Sequence, residues 1–479
     1  MSRRRNVLWI VSDHQVHATR PPGTECHPLQ HALAAKGVEF CNAFSVLPVC
    51  SPARASMLTG LYPHAHGLTE NDGRFGGRTG LDPSDWMLHR PLQDQGYRCG
   101  WFGKWHVDNQ RSAREYGFEG FSLPGYGYPY ATPEYRDYLD RCALDEPVAR
   151  IEIPGESGID AAIEIALTQR KSWFDYESGV AELVGSARTH EAFFVTDLAR
   201  RWLERDDDSP FFLRVDTWGP HPPYFLAEPY ASEIAAAGVE LPPNFDLSLD
   251  ERPGHHRDYR DYWQRTLGLD RAQWRRMYEA ALAQALLVES ALVELLDAID
   301  LDDTLVIFNS DHGDAVGSNG GVANKGGLLA EATVKIPLLL AGGGLPARES
   351  RDELVSQLDL VSTVLDYCGV DSAPSLHGAS LWSLSVSSEN DDWRRGLMLQ
   401  HYGLHERIVQ RAWYERDLKL VLQQDGFEEC YRLSNDPGET VNLALRSENR
   451  DMVDGLRKSL EVAMVNCGDD FCQGDLKPG

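Results

Sequence analysis

The run Cys50-Ser51-Pro52-Ala53-Arg54-Ala55-Ser56-Met57-Leu58-Thr59-Gly60 constrains this chain more than any other stretch. Ser51 is a good N-cap and Pro52 suits a first helical position, so a helix is predicted to begin here and run through Leu58. Upstream, Val38 to Leu47 mixes apolar and small residues in the manner of a strand. Cys50 then sits at a strand-to-helix turn, just ahead of a helix N-terminus whose free N–H groups and dipole favour an anion. Nucleophiles are often presented at such turns. An unpaired cysteine is commonly a buried structural one. The register of Pro52, Arg54, Thr59 and Gly60 with Cys50 favours the functional reading.

Strand and helix patterns alternate through most of the length, which predicts an α/β layered fold with a largely parallel sheet. Core strands are expected at 6–11, 97–102, 211–215, 304–309 and 336–340, and helices at 28–36, 192–204, 277–299 and 359–368. The pattern weakens over 107–190 and 222–270, which read as irregular segments able to line a pocket. Near 370–395 the composition turns to Ser, Pro, Asn and Asp, which marks a boundary between a catalytic unit, 1–375, and a small C-terminal unit, 376–479. The small unit reads as short antiparallel strands at 396–401, 407–413, 418–423 and 429–433, followed by a helix over 448–465.

Several classes are disfavoured by composition. A net charge of −27 over 479 residues makes nucleic acid an improbable partner. No stretch approaches the ~18 to 20 apolar residues of a membrane span. The nine cysteines are scattered and lack zinc-type spacing, which fits a reducing compartment; only Cys467 and Cys472 are near enough in sequence to pair. The basic start, Arg3-Arg4-Arg5, runs into an apolar segment too short for a signal peptide, so a cytoplasmic protein is expected.

Metal sites need carboxylates delivered from strand ends. Asp13 follows the first strand, and Asp311-His312-Gly313-Asp314 follows the strand at 304–309. In a parallel sheet the carboxyl ends converge on one crevice, where these residues and Cys50 can meet. Singly, such aspartates are usually turn formers or caps; together with Cys50 they favour a metal centre.

The Cys50 run, C-x-P-x-R followed by T-G, resembles the signature of the formylglycine-dependent (type I) sulfatases of the alkaline phosphatase superfamily. Further matches follow in order. Gly96-Tyr97 through Gly103-Lys104-Trp105-His106 resembles the second sulfatase signature, and Pro220-His221-Pro222 the P-H-x-P element. In Asn324-Lys325-Gly326 the lysine sits fourteen residues after Asp311. Leu433 through Asp436-Pro437-Gly438-Glu439 to Asn442-Leu443 resembles the C-terminal D-P-x-E element.

This resemblance implies an alkaline-phosphatase-like three-layer sandwich, with a small C-terminal antiparallel sheet and a helix. It also implies that Cys50 is oxidised to an aldehyde whose hydrate attacks sulfur. Asp13, Asp311, His312 and the modified Cys50 would hold one divalent metal. Arg54 and Lys104 would stabilise the formylglycine oxyanion, and His106 would be the base that releases sulfate. His221 and Lys325 would bind sulfate and protonate the leaving oxygen. Asn71 would contact the substrate or the metal shell. The implied partners are a small or carbohydrate sulfate ester and a formylglycine-generating enzyme, with a homo-oligomer left open.

Two departures from the family pattern stand out. His14 replaces a second acidic residue, and His312 replaces an asparagine. Calcium is the commonest metal in the family, but imidazole suits manganese or zinc better. His14 is left outside the ligand set, because a side chain directly after Asp13 would need an unusual turn to join it. The Asp-His pair also occurs in relatives resembling choline sulfatases, iduronate sulfatases and phosphonate monoester hydrolases. The expected activity is sulfuric ester hydrolysis. The alternatives are a formylglycine-dependent phosphonate monoester or phosphodiester hydrolase, and a non-catalytic binding relative. The intact Gly103-Lys104-Trp105-His106 run favours sulfate.

Overall fold

A computed structural model describes residues 5–15, 27–155, 158–169, 179–205, 207–371, 374–387 and 392–471. Cys472 lies outside these residues, so its pairing with Cys467 is not described. The chain begins with β1 (Asn6–Ser12), β2 (Gly37–Phe44), β3 (Arg98–Gly103) and β4 (Glu119–Phe121). It continues through β5 (Val148–Gly155), β6 (Gly158–Ala166), β7 (Val180–Val184), β8 (Phe211–Asp216) and β9 (Tyr224–Leu226). β10 (Thr304–Ser310), β11 (Leu338–Gly342) and β12 (Glu349–Ser356) complete the large unit.

The central sheet has the order β12-β2-β11-β10-β1-β8-β3-β4. Among its described pairings only those of β11, with β10 and with β2, are antiparallel. Both faces are covered, and β1 shows why. Leu8 and Ile10 point into one apolar layer with the helices Glu191–Leu203 and Arg271–Leu292. Val7, Trp9 and Val11 point into the opposite layer with Cys50–Thr59 and Leu358–Cys368. A strand buried on both sides reads as a continuous apolar run, as this one does. The result is the expected three-layer α/β sandwich.

The segment expected to be irregular holds a second sheet, with order β6-β5-β7-β9. β5 carries Arg150 on its outer face, paired with Glu164 and Glu182 on the flanking strands. Charged cross-strand pairs of this kind blunt the apolar periodicity by which a strand is recognised. The other irregular block contains the helices Tyr230–Ala237 and Gly254–Leu267.

Beyond the Ser- and Asn-rich stretch lies the antiparallel meander β13 (Gly396–His401), β14 (Gln410–Glu415), β15 (Leu418–Gln423) and β16 (Glu428–Arg432). The helix Arg450–Cys467 covers one face through Val453, Leu456, Leu460 and Met464. The other face seats Leu399 and Tyr414 against Phe44 and Val334 of the large unit. The D-P-x-E element serves this junction. Glu439 accepts from Lys419 Nζ at 2.6 Å and from the backbone N–H of Glu331 at 3.0 Å. Among the described residues, no helix is long and apolar enough to cross a membrane.

Candidate active site

Three adjacent parallel strands deliver the centre. Ser12 of β1 pairs with Ser310 of β10, and Val11 pairs with Asp216 of β8. Asp13, Asp216 and Asp311 therefore arrive at one level, at the carboxyl ends of their strands, where parallel sheets place their sites. The helix carrying Cys50 runs Cys50–Thr59 and is buried on every side. Its N-cap is Val49, in extended conformation, and Ser51 does not cap it. The helix thus starts two positions earlier than expected. Asn71 supplies the missing acceptor instead, taking the Ser51 N–H on Oδ1 at 3.0 Å. Gly60, at φ 67°, closes the helix in the left-handed region that glycine adopts most readily.

Cys50 Sγ lies 3.2 Å from His312 Nε2. Asp13, His14, Cys50 and His312 each bring one ligand atom, and these atoms lie within 4.8 Å of one another. All four residues are buried. His14 belongs to this group because it makes the unusual turn that was expected to keep it out: its φ is 66°. Asp311 is engaged differently. Its Oδ1 accepts the backbone N–H groups of His14 at 3.2 Å and His312 at 2.9 Å, and its Oδ2 accepts Arg54 Nε at 3.0 Å.

Arg54 is held on several sides. Its Nη1 donates to Asp216 Oδ2 at 2.8 Å and to the Lys104 carbonyl at 3.2 Å. Asp216 is in turn gripped by Arg214, whose guanidinium lies between the rings of Trp9 and Trp101 at 4.3 and 4.5 Å. Arg54 Nη2 remains a buried donor without a hydrogen-bond partner among the described residues. Lys104 Nζ donates to Asp13 Oδ2 and stands 4.4 Å from the Tyr126 ring. The rings of His106 and His221 flank Tyr126 at 5.4 and 5.1 Å, so the aromatic stretch around residue 126 lines the centre. Lys325 Nζ contacts His14 Nε2, and His14 Nδ1 lies 2.9 Å from Asp314 Oδ2.

The electrostatics follow from burial among mixed charges. Burial raises the Asp13 carboxyl, but Lys104, then His221 and Arg54, outweigh it and hold Asp13 well below the usual carboxylate range. Asp311 is pushed up to about 7 by burial and then by the charge of Asp13. Burial lowers His106, assisted by Lys104 and Arg54, and lowers His312 to about 4. Both rings are neutral near pH 7. Buried Asp13 Oδ1 has no hydrogen-bond partner among the described residues. An orphaned carboxylate oxygen beside an imidazole and a sulfur, all turned inward, fits a cation.

The predicted residues Asp13, Cys50, Arg54, Lys104, His106, His221, Asp311, His312 and Lys325 all reach this crevice, and Asn71 borders it through the helix cap. His14 was expected to stay outside the ligand set, and Asp216 and Asp314 were given no role. A carboxylate directly after a buried strand is the signal that could have found Asp216.

Comparison with known proteins agrees with this geometry. The Sulfatase family model matches residues 5–370, and the model for the C-terminal part of N-sulphoglucosamine sulphohydrolase matches residues 324–466. The chain is 26% identical over 461 residues to the uncharacterized sulfatase YidJ of Escherichia coli strain K12, covering 92% of this chain and 83% of that one. A phosphonate monoester hydrolase from Silicibacter pomeroyi has the same fold, with a TM-score of 0.76 at 18% identity, covering 98% of this chain and 96% of that one. So does a protein solved with its substrate D-glucosamine-2-N,6-O-disulfate, with a TM-score of 0.70 at 19% identity, covering 99% of this chain and 100% of that one. The chain is a sulfatase, a member of the type I family within the alkaline phosphatase superfamily.

Proposed function

We propose that this sulfatase hydrolyses a sulfate monoester, carried by a sugar or a small alcohol, through a formylglycine derived from Cys50 and one divalent metal. The observation that carries the reading is the meeting of Cys50 with Asp13 and His312 inside a ring of cationic side chains. Cys50 Sγ stands in for an oxygen of the aldehyde hydrate. That hydrate supplies one hydroxyl to attack sulfur and a second whose deprotonation expels sulfate. Asp13, the modified Cys50, Asp311 and His312 would hold the cation, which supplies positive charge at a sulfate oxygen and acidifies the attacking hydroxyl. The imidazole nitrogen of His312 favours manganese or zinc over calcium.

The chain's own residues divide the remaining work. Arg54 is fixed by Asp216 and Asp311, which leaves its Nη2 as the donor for a developing oxyanion. His106, neutral and with Nδ1 lacking a partner among the described residues, is suited to remove the second hydroxyl's proton. His221 Nδ1 donates to the Pro222 carbonyl at 2.6 Å, so its neutral ring presents Nε2 as an acceptor. That leaves Lys325 as the proton donor to the leaving oxygen. His14 serves it as a hydrogen-bond partner, because its single Nε2 lone pair cannot face both the lysine and a metal.

The test is kcat/KM on an aryl sulfate and on the matching aryl phosphonate, with Mn2+ added and Cys50→Ala as the blank. Faster sulfate cleavage that vanishes in the blank supports the reading. Preference for the phosphonate would replace it with the monoester-phosphonate alternative, and a Cys50→Ala rate near wild type would end the mechanism.

A further inference from the structure

Beside Lys325 the chain opens a cavity of about 420 Å³ that the chemistry above does not use. One wall is the helix Gly254–Leu267 and another is the segment 404–408 from the C-terminal unit. Gly326 and Gly327, which follow Lys325 directly, also line it. The cavity is mechanically tied to the catalytic lysine. The Gly326 N–H donates to Tyr259 Oη at 3.0 Å, and a Cβ on Gly326 would fall 2.7 Å from that oxygen. Only glycine admits the tyrosine this closely.

The lining chemistry is that of a polyol site. The rings of Tyr259 and Tyr262 are stacked within 10° of parallel, and the His405 ring stands 5.9 Å from each. Tyr262 is 43% exposed, so an aromatic face is open to an occupant. Around it stand the carboxylates of Asp258, Asp261 and Glu406 against the single guanidinium of Arg265. Asp261 is already paired with Arg260 at 3.0 Å. Burial, and then the charges of Lys325 and Arg74, lower His405, so the ring adds no positive charge near neutral pH.

An aromatic wall packs against the C–H face of a sugar ring, and carboxylates accept from its hydroxyls. An ammonium is drawn both to carboxylates and to tyrosine faces, whereas a second carboxylate is repelled. We propose that this cavity receives the alcohol half of the substrate, and that this half is a sugar bearing an amine rather than a carboxylate. The proposal rests on the sulfate-ester reading for the word substrate, and its test does not depend on turnover.

Saturation-transfer NMR on the full chain, with unsulfated D-glucosamine and D-glucuronate at matched concentrations, reads binding directly. Glucosamine is expected to bind at least fivefold more tightly than glucuronate, and Tyr262→Ala to weaken it at least fivefold. Asp258→Asn, on an exposed position, is expected to narrow the preference without removing the aromatic wall. Equal or tighter binding of glucuronate overturns the proposal. So does glucosamine binding indifferent to both substitutions. Loss of the sulfatase reading would appear separately, in the aryl ester assay.

Discussion

His14 Nδ1 lies 2.9 Å from Asp314 Oδ2, with both side chains wholly buried and Tyr224 Oη donating to the same oxygen at 2.8 Å. Burial, and then the neighbouring Lys325 charge, lower His14, so the ring is neutral. The carboxylate accepts Nδ1–H and thereby fixes the lone pair on Nε2, where Lys325 donates. In the proposed mechanism Asp314 is a positioning residue acting through His14 on Lys325. Asp314→Asn is expected to lower kcat/KM by roughly 10-fold to 100-fold, the range usual for such supporting partners. The loss should be greater on alkyl than on aryl sulfates, with the affinity for Mn2+ nearly unchanged in calorimetry. A large loss of metal affinity with equal losses on both esters would transfer His14 to the metal.

Lys325 itself is nearly inaccessible, at 2% exposure, and its neighbours leave it directed at the centre. A proton donor matters most when the leaving oxygen is basic. Lys325→Ala is therefore expected to cost about 10²-fold or more on an alkyl sulfate, the lower end for general acid catalysis. On p-nitrophenyl sulfate, whose leaving group needs little protonation, the loss should be below ~10-fold. A plot of log kcat/KM against leaving-group pKa should steepen in the variant. Parallel plots would remove the assignment.

The legible part of this protein was the part where one strand or one turn carries its own signal. β1 and β10 read as apolar runs because both their faces are covered, and Asp13 and Asp311 follow them directly. The helix after Val49 was legible from Pro52, but its cap was not. The acceptor comes from Asn71, twenty residues along the chain, and local sequence does not encode that approach. His14 was misplaced for a related reason. Its positive φ is imposed by Asp311, which takes its N–H, and by Asp314, which takes its ring. Both carboxylates come from the end of the neighbouring strand β10, 297 and 300 residues along the chain, and tertiary contacts override residue preference at such positions. β5 to β7 escaped because exposed Arg150, Glu164 and Glu182 replace apolar periodicity with charge pairing.

Removal of divalent metal tests the cluster around Cys50. Dialysis against a chelator should abolish turnover and lower Tm. Re-addition should raise Tm with the metal concentration, by about 2.7 kcal/mol of stability at a hundred times Kd. Because the cluster offers imidazole nitrogen as well as carboxylate oxygen, Mn2+ should restore Tm at lower concentration than Ca2+. Restoration by Ca2+ at equal or lower concentration would contradict the donor chemistry argued for this site.

Glu191 lies beside the His221 loop and accepts the Gly219 N–H at 2.8 Å on Oε1, while Oε2 has no partner among the described residues. Burial pushes its carboxyl up to about 8 from an ordinary 4.5, against the lowering effect of the Gly219 and Trp218 amides. Between those values the folded protein keeps a proton that the unfolded chain has released. Stability from this group is therefore fully present below pH 4.5 and declines as pH rises towards 8, by up to ~1.4 kcal/mol per pH unit. Glu191→Gln keeps the acceptor for Gly219 and cannot ionise. Its Tm relative to wild type should rise steadily from pH 5 to pH 8 and level off above, in calorimetry at constant ionic strength. Tm curves that stay parallel across that window would mean that Glu191 enters the folded state already ionised.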